Sequence, residues 1–324
     1  MAVSGGSAGS RRFVIALGGN AIVPVGQEGT YEQQAAITMA TMKQVARMAA
    51  SGHRVVMTHG NGPVVGNIVL RNDAGMAVHG IPPMPMFVCG ADSQGGLGFM
   101  LQQSLQNALA EIDLDVPVAS VVTQVLVAPD DPAFDNPTKP IGPFYDEEQA
   151  GLLRDENNWT IVKDAGRGWR RVVPSPAPRE VIEWEAIRTL VDGGVLTIAT
   201  GGGGVPVIRD DRGFLAGVDA VIDKDRASAL LAGLIGADVL VIVTQVEKVY
   251  ASFGRPDQEA LDTLTVDRAE RMLADGEFPP GSMGPKIEAA VSFLSAGGKA
   301  VVITSPEHIL EAVGGTRGTT IVPA

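Results

Sequence analysis

The sequence predicts an α/β fold built around a mostly parallel sheet, and three observations support this prediction. Short β-branched runs alternate with longer segments of helical period along the 324 residues. Several of the short runs lack polar alternation, which is typical of strands covered on both faces. The chain is also 45% hydrophobic and 19% charged, so it can bury a large core. At roughly 150 residues per domain, this length predicts about two domains, or one large domain with two lobes.

Six strands and seven helices are predicted along the chain. The strands are the apolar runs at residues 13–17, 54–58, 118–122, 195–200, 239–244 and 300–304. The helices are the segments of helical period at residues 31–50, 64–76, 94–110, 179–192, 223–235, 266–274 and 285–296. Neighbouring parallel strands need long crossover connections, and helices of this kind supply them.

One stretch, residues 128–178, breaks the alternation of strands and helices. It is rich in Pro, Asp, Asn and Gly, and it holds two of the three tryptophans. Prolines at this density exclude a continuous helix or a central strand. A loop this long in a compact domain is usually functional or carries structure of its own. We therefore predict a small inserted subdomain, with a variable surface excursion as the alternative.

Charge and cysteine content argue against several functional classes. The formal charge is −12 at pH 7 and the pI is about 4.8, whereas nucleic-acid binding usually needs a basic face. No window reaches the about 18 consecutive apolar residues of a membrane span. The single cysteine, Cys89, suits a reducing compartment, and we expect a small buried residue rather than a nucleophile. We predict that residues 1–11 form a disordered tail and not a signal peptide. We therefore expect a cytoplasmic protein.

Glycine is concentrated where predicted strands end. Three loops carry it, and their residues are Gly18, Gly19 and Asn20, then Gly60, Asn61 and Gly62, and finally Gly201, Gly202 and Gly203. In an open parallel sheet, ligands bind at the carboxyl ends of the strands, and glycine lets backbone N–H groups approach an anion closely. Helix starts near these loops add free N–H groups and the positive end of a dipole. Three such loops together predict a phosphorylated ligand.

The second loop also allows a rival interpretation. Gly60, Gly62 and Gly66 resemble a dinucleotide-binding fingerprint with a variant last spacing. That fingerprint needs an acidic residue about 20 positions later at the end of a second strand. Asp73 comes too early and lies in a helical stretch, so a nicotinamide-dependent oxidoreductase is the less favoured alternative. The four histidines are expected to be ordinary polar residues, although His59 in its glycine loop could donate to a ligand.

Two of the seven lysines lie at predicted helix starts. Lys224 follows Asp223, a candidate N-cap, and Lys286 follows Pro285, which suits a first helical position. A lysine in the first turn of a helix opposes the helix dipole. This placement favours an anionic partner near both lysines.

Eight segments of the chain resemble the carbamate kinases, a branch of the amino-acid kinase family. They are ALGGNA (16–21), THGNGPVVGN (58–67), CGADSQG (89–95), DPAFDNPTKPIGPFY (131–145), AGRGWRRVVPSPAP (165–178), GGGGVPV (201–207), VIDKDRASALLA (221–232) and PPGSMGPKIEAA (279–290). The two segments within residues 128–178 are the most specific, because sister kinases of acetylglutamate, aspartate, glutamate or UMP lack that proline-rich stretch.

The resemblance implies a three-layer α/β/α sandwich with a small protruding insert. Residues 12–215 would hold the carbamate site and the contacts of a homodimer, and residues 216–324 would hold ADP or ATP. The implied reaction is reversible phosphoryl transfer between carbamoyl phosphate and ADP, with Mg²⁺ bound mainly through the nucleotide phosphates. Carbamate is already an anion with oxygen nucleophiles, so the reaction needs positioning and charge neutralisation rather than a general base.

By motif, the resemblance also implies roles for individual residues. Lys139, Lys224 and Lys286 match the phosphate-site lysines, and Asp225 matches the aspartate that orients two of them. The implied nucleotide-binding residues are Thr244, Val246, Tyr250 and Met283, of which Val246 and Tyr250 could equally be core residues.

Two residues depart from the family pattern. Asp92 stands where an apolar residue, usually Met, is expected beside the acceptor loops. Gln245 replaces the expected Asp or Ala in the segment that would line the adenine pocket. Asp92 leaves open a kinase of another small carboxylate or carbamate-like acceptor. A catalytically silent nucleotide sensor is a further alternative, which the intact set of three lysines and Asp225 disfavours.

Overall fold

The computed structural model describes residues 9–19, 22, 29–157, 159–164, 168–279 and 281–324. The strands are β1 (Arg12–Leu17), β2 (Arg54–His59), β3 (Val118–Ser120), β4 (Gln124–Leu126), β5 (Lys139–Tyr145), β6 (Ile161–Asp164), β7 (Gly168–Val173), β8 (Glu180–Val181), β9 (Leu196–Ile198), β10 (Val205–Arg209), β11 (Leu215–Gly217), β12 (Val239–Val243), β13 (Val249–Ala251), β14 (Glu259–Leu261), β15 (Thr263–Thr265), β16 (Ala300–Thr304) and β17 (Thr319–Val322). The helices are α1 (Tyr31–Ala50), α2 (Gly62–His79), α3 (Met86–Ala110), α4 (Glu147–Asn157), α5 (Trp184–Asp192), α6 (Lys224–Leu234), α7 (Val266–Ala274), α8 (Gly284–Ser295) and α9 (Ile309–Val313).

The main sheet has eight strands in the order β15-β17-β16-β12-β1-β2-β9-β3. Every neighbouring pair is parallel except β16 with β17, which confirms the predicted mostly parallel sheet. The six predicted strands are the six contiguous strands from β16 to β3. The prediction missed β15 and β17 at the opposite edge, because these three- and four-residue strands are rich in threonine and carry no apolar run.

Helices cover both faces of the main sheet, as the alternation of buried side chains along β1 shows. Val14 and Ala16 point to one face and pack in the core that includes Ile287 of α8. Phe13 and Ile15 point to the other face and pack in the core that includes α1 and α3. The architecture is therefore a three-layer α/β/α sandwich, as expected.

The stretch that interrupts the alternation has structure of its own. β5, β7 and β6 form a three-stranded antiparallel sheet with β5 at its edge, and α4 connects β5 to β6. An edge strand tolerates the prolines at 140 and 143, because an edge residue need not donate to a neighbour. The helix fits because residues 146–157 contain no proline. We call residues 139–173 the insert.

Glycine allows the insert to approach α2 closely. Gly142 of β5 has a φ of +69°, and a Cβ atom on Gly66 of α2 would lie 2.1 Å from the Gly142 Cα. Ile141 and Val173 of the insert also pack in a small core with Val65 of α2. The base of the insert is thus anchored by apolar contacts.

Two predicted helix starts were wrong by five residues or more. α5 begins at Trp184 rather than at 179, because Glu180 and Val181 pair with β4 as strand β8. α3 begins at Met86, eight positions before the predicted start at 94, since its glycine-rich first turns obscure the helical period. Cys89 in those turns is 0% exposed, which confirms the expected buried residue, and burial raises the pKa of its thiol. No helix in the described ranges has the length and apolarity needed to cross a membrane.

Candidate active site

The candidate site lies at the carboxyl ends of the central strand of the sheet and its two neighbours. β1 lies between β12 and β2, and all three strands are parallel. The Gly18 N–H donates to Val243 O over 3.1 Å and the Gly60 N–H donates to Leu17 O over 3.0 Å, so the loops after these strands begin side by side. A cleft of about 510 Å³ opens beside them. Ligands of open α/β sheets bind at this kind of position.

Helix α6 begins at one wall of the cleft. Asp223 is its N-cap, as predicted, because the Asp223 Oδ1 accepts the backbone N–H of Asp225 at 2.9 Å and that of Arg226 at 3.3 Å. The cap holds Lys224 and Asp225 in the first turn, and both line the cleft. Local capping chemistry therefore places two of the predicted catalytic residues.

Asp225 joins two lysines from different helices. Its side chain is 3% exposed, and its Oδ1 accepts a hydrogen bond from the ammonium of Lys224. Its Oδ2 lies 3.1 Å from the Nζ of Lys286, which stands behind Pro285 in the first turn of α8. The Lys286 ammonium also donates to Ser282 O over 3.3 Å. The structure thus brings together three of the four predicted catalytic residues, because Lys224 and Lys286 both contact the buried carboxylate of Asp225.

The charges of this cluster determine its protonation. Burial alone would raise the pKa of Asp225, but the charges of Lys224 and Lys286 outweigh burial and hold that pKa below its usual value. Burial lowers the pKa of Lys224, and Asp225 opposes that effect. Asp225 is therefore ionised at neutral pH and is a poor proton acceptor.

Lys139 reaches the same cleft from the insert. Its Nζ lies 2.6 Å from the Asp223 Oδ2, and its side chain is 29% exposed. Three lysines and two carboxylates consequently line the cleft. This arrangement suits an anionic ligand, since the cations exceed the anions.

The predicted glycine loops contribute unequally to the cleft. Gly19, Gly60, Asn61, Gly62 and Gly202 line it. The other described glycines serve packing instead and do not line the cleft: a Cβ atom would lie 2.9 Å from Val243 O at Gly18, 2.4 Å from the His59 Nε2 at Gly201 and 2.3 Å from Ile222 O at Gly203. Asn20 lies outside the described residues. Phosphate binding by these loops stays a prediction.

His59 is buried behind the cleft and does not line it. Burial lowers the pKa of its imidazole from 6.5 to about 4, against a smaller opposing effect of its hydrogen bond with Gly60 O. The unfolded chain therefore binds a proton at pH 5 that the folded chain does not bind. We expect the free energy of unfolding to fall by about 2 kcal/mol between pH 7 and pH 5 from this residue.

Urea unfolding at pH 7 and pH 5 measures this effect. His59→Gln should reduce the loss of stability between the two pH values, whereas the matched change His79→Gln at an exposed position should leave it unchanged. An identical pH dependence in His59→Gln and the unaltered protein would contradict the assignment.

A second cavity of about 400 Å³ adjoins the cleft. All four predicted nucleotide-binding residues, Thr244, Val246, Tyr250 and Met283, line this cavity. Aromatic side chains contribute to its walls, and the Tyr250 and Phe253 rings lie 5.9 Å apart. The two cavities share four lining residues, namely Gln245, Gly281, Ser282 and Lys286. A ligand with a flat heterocycle in the second cavity could therefore place an attached phosphate chain beside the lysines of the cleft.

The two residues that depart from the family pattern differ in their positions. Asp92 is exposed on α3 and lines neither cavity. Gln245 follows β12 and lines both cavities where they meet. The structure therefore places Gln245, rather than Asp92, next to the candidate site.

Sequence reasoning missed several contacts of the cleft. Arg170 and Phe144 line it from the insert, where the Arg170 guanidinium lies 5.0 Å from the centre of the Phe144 ring. The ion pair between Lys139 and Asp223 was also missed, because it joins residues 84 positions apart. The only sequence signal for this contact is that the segments holding Lys139 and Asp223 resemble the same family. Within the described ranges, no group of three or more His, Cys, Asp or Glu side chains could hold a metal ion.

The chain is similar to known proteins over nearly its whole length. The amino acid kinase family matches residues 11–305. Carbamate kinase from Thermococcus kodakarensis is 50% identical over 313 residues, which cover 96% of this chain and 99% of that protein. Carbamate kinase from Pyrococcus horikoshii is 49% identical over 312 residues, with coverage of 96% and 99%. The structure of carbamate kinase from Giardia lamblia bound to AMP-PNP is similar, with a TM-score of 0.89, 42% identity and coverage of 97% and 99%.

Proposed function

Because the chain belongs to the carbamate kinases of the amino-acid kinase family, we propose that its lysine-lined cleft is where a phosphoryl group passes between carbamoyl phosphate and ADP. The enzyme is a phosphotransferase with a carboxyl-type acceptor. In one direction it makes ATP and carbamate, which decays to ammonia and CO₂, and in the other it consumes ATP.

One observation carries the proposed location of the reaction. Asp225 holds Lys224 and Lys286 together at the boundary between the two cavities. Two anions that repel each other can meet there, because the lysine charges offset the negative charge on the transferred group. Carbamate supplies its own oxygen nucleophile, and Asp225 is ionised and poorly basic. Catalysis therefore depends on positioning and charge.

The two cavities divide the substrates between them in this proposal. Thr244, Val246, Tyr250 and Met283 contact ADP or ATP in the second cavity, and the glycine loops after β1 and β2 contact carbamate. The binding of AMP-PNP by the structurally similar Giardia lamblia enzyme supports an adenine nucleotide. Residues 12–215 then form a carbamate lobe and residues 216–324 a nucleotide lobe.

Mg²⁺ enters with the nucleotide in this proposal. Asp223 and Asp225, the carboxylates of the cleft, already accept hydrogen bonds from lysines. Mg²⁺ commonly binds through phosphates and water rather than an all-protein cage, so the nucleotide phosphates would hold it. Bound there, the metal would neutralise part of the charge that develops during transfer.

We also propose a cytoplasmic homodimer with its contacts in residues 12–215. Among the described residues, all exposed large hydrophobic side chains except Phe253 belong to this segment. Exposed apolar patches often mark protein contacts. The single cysteine, Cys89, is a free thiol and also suits a reducing compartment. Light scattering on the purified protein tests the dimer, and a monomer mass would contradict it.

ATP formation from ADP, carbamoyl phosphate and Mg²⁺ tests the proposed reaction. Turnover is expected with carbamoyl phosphate as the phosphoryl donor. The alternative acceptor is tested in reverse, with ATP and acetate, glutamate or aspartate. Nucleotide binding with no turnover in either direction would favour the silent sensor instead.

A further inference from the structure

The insert and helix α6 meet through one carboxylate in the cleft. The Asp223 Oδ1 accepts the two backbone N–H groups of the α6 cap, at 2.9 and 3.3 Å. The Asp223 Oδ2 accepts the ammonium of Lys139 from β5 at 2.6 Å. The two oxygens therefore serve two different elements, and a helix cap alone would use only the first.

The ion pair persists at neutral pH. Burial would raise the pKa of Asp223, but the charge and hydrogen bond of Lys139, with the charges of Lys224 and Lys286, outweigh burial and hold the pKa far below its usual value. The Asp223 side chain is 14% exposed and that of Lys139 is 29% exposed. The ion pair is thus shielded enough from water to fix the position of the Lys139 ammonium. Without the Asp223 carboxylate, that ammonium can move into the solvent.

A carboxylate in an anion site needs a reason, because its charge repels the ligand. The cap does not supply that reason, since asparagine and serine cap helices about as well as aspartate. Only a carboxylate offers an ionised second oxygen to Lys139. The charge at position 223 is therefore explained by the contact with the insert.

We propose that Asp223 is a positioning residue for carbamoyl phosphate turnover, in which one oxygen caps α6 and the other holds Lys139 across the cleft. This inference rests on the proposed function of the cleft. In it, Asp223 acts through Lys139 and makes no contact with the reacting atoms. The apolar base of the insert, with Ile141 and Val173 in its core, does not depend on the ion pair for its contacts, so we expect the insert to stay in place when the ion pair is removed.

The variant Asp223→Asn separates the two roles. The amide oxygen can still cap α6, whereas the NH₂ group would face the Lys139 ammonium as a second donor. We expect kcat/KM for carbamoyl phosphate to fall by about tenfold because Lys139 loses its fixed position, while KM for ADP changes less than about twofold. Asp146→Asn is the matched control, because Asp146 also accepts a backbone N–H at a helix start, that of Gln149 in α4, but does not line the cleft.

A double-mutant cycle tests whether Asp223 acts through Lys139. Lys139→Ala should lower kcat/KM for carbamoyl phosphate at least as much as Asp223→Asn, and the double variant should match Lys139→Ala alone. Losses that multiply in the double variant would overturn the proposal, as would an unchanged kcat/KM in Asp223→Asn or an equal loss in Asp146→Asn. If Asp223→Asn fails to fold, Asp223→Ser replaces it, because serine also caps helices.

A second measurement is independent of turnover. Acetylation of lysines by acetic anhydride, followed by mass spectrometry, should label Lys139 faster in Asp223→Asn than in the unaltered protein. Lys163 of β6, which stacks over Trp169 within the insert, should react at the same rate in both proteins. Equal labelling of Lys139 would overturn the proposal. If the unaltered enzyme forms no ATP, the proposed function fails, while the labelling still decides the positioning of Lys139.

Discussion

Alanine in place of Lys286 or of Lys224 is expected to lower kcat by about 10²-fold or more while the protein stays folded. Each change removes one lysine charge that offsets the negative charge on the phosphoryl group being transferred. The other lysine remains hydrogen-bonded to Asp225, so the buried carboxylate keeps a partner in each single variant. The loss should therefore appear mainly in kcat.

Steady-state kinetics with each substrate varied, and circular dichroism for the fold, measure this result. Lys299→Ala is the matched control, because Lys299 also forms an ion pair, with Asp238, but its side chain is 76% exposed and it does not line the cleft. Lys286→Arg should retain more activity than Lys286→Ala, since it keeps the charge. Full turnover in Lys286→Ala or Lys224→Ala would show that the lysine takes no part in transfer.

Asparagine in place of Asp225 is expected to lower kcat by a comparable factor for a different reason. The neutral amide cannot pair with both ammonium groups, so Lys224 and Lys286 repel each other across a buried site. Removing one partner of a buried ion pair typically costs about 3 kcal/mol or more, and we expect the free energy of unfolding to fall by about that amount. The acidic limb of the pH–rate profile should not change, since Asp225 transfers no proton.

A pH–rate profile and urea unfolding of Asp225→Asn test both parts. Asp238→Asn is the control, because Asp238 also accepts hydrogen bonds from a lysine, Lys299, and from the Arg12 N–H, but away from the cleft. If the acidic limb vanishes in Asp225→Asn, the carboxylate is a proton acceptor and the orienting role is wrong.

Some elements could be predicted because their signals are local. Five of the six inner strands were recognised since burial on both faces produces apolar runs, and β3 was recognised although it is only partly buried. The helices α1 and α7 were predicted with their observed ends. The starts of α6 and α8 were close to the prediction because an aspartate cap and an early proline are local features. These helix starts carry Lys224, Asp225 and Lys286. Position along the chain thus revealed Lys224 and Lys286, whereas Asp225 was indicated only by the resemblance to the carbamate kinases.

Other elements could not be predicted because their causes are distant in the chain. Glu180 and Val181 form a strand instead of a helix only because β4 lies beside them. The prolines of residues 128–178 excluded a continuous helix or a central strand, but they could not show that Lys139–Tyr145 form strand β5 at the edge of a small sheet, with a register shift between Ile141 and Tyr145. In both cases, tertiary pairing decided the outcome where local preference left more than one.

The sequence by itself determined the α/β class, the positions of the inner strands along the chain and the glycine-rich ends of those strands, since each depends on neighbouring residues. Only the tertiary structure decided which glycines line the cleft and which instead pack against His59 or Ile222. It also decided that Lys139 pairs with Asp223, 84 positions away. The physical reason is that hydrogen bonds and ion pairs act over a few ångströms in space, and spacing along the chain does not reveal which distant residues come that close.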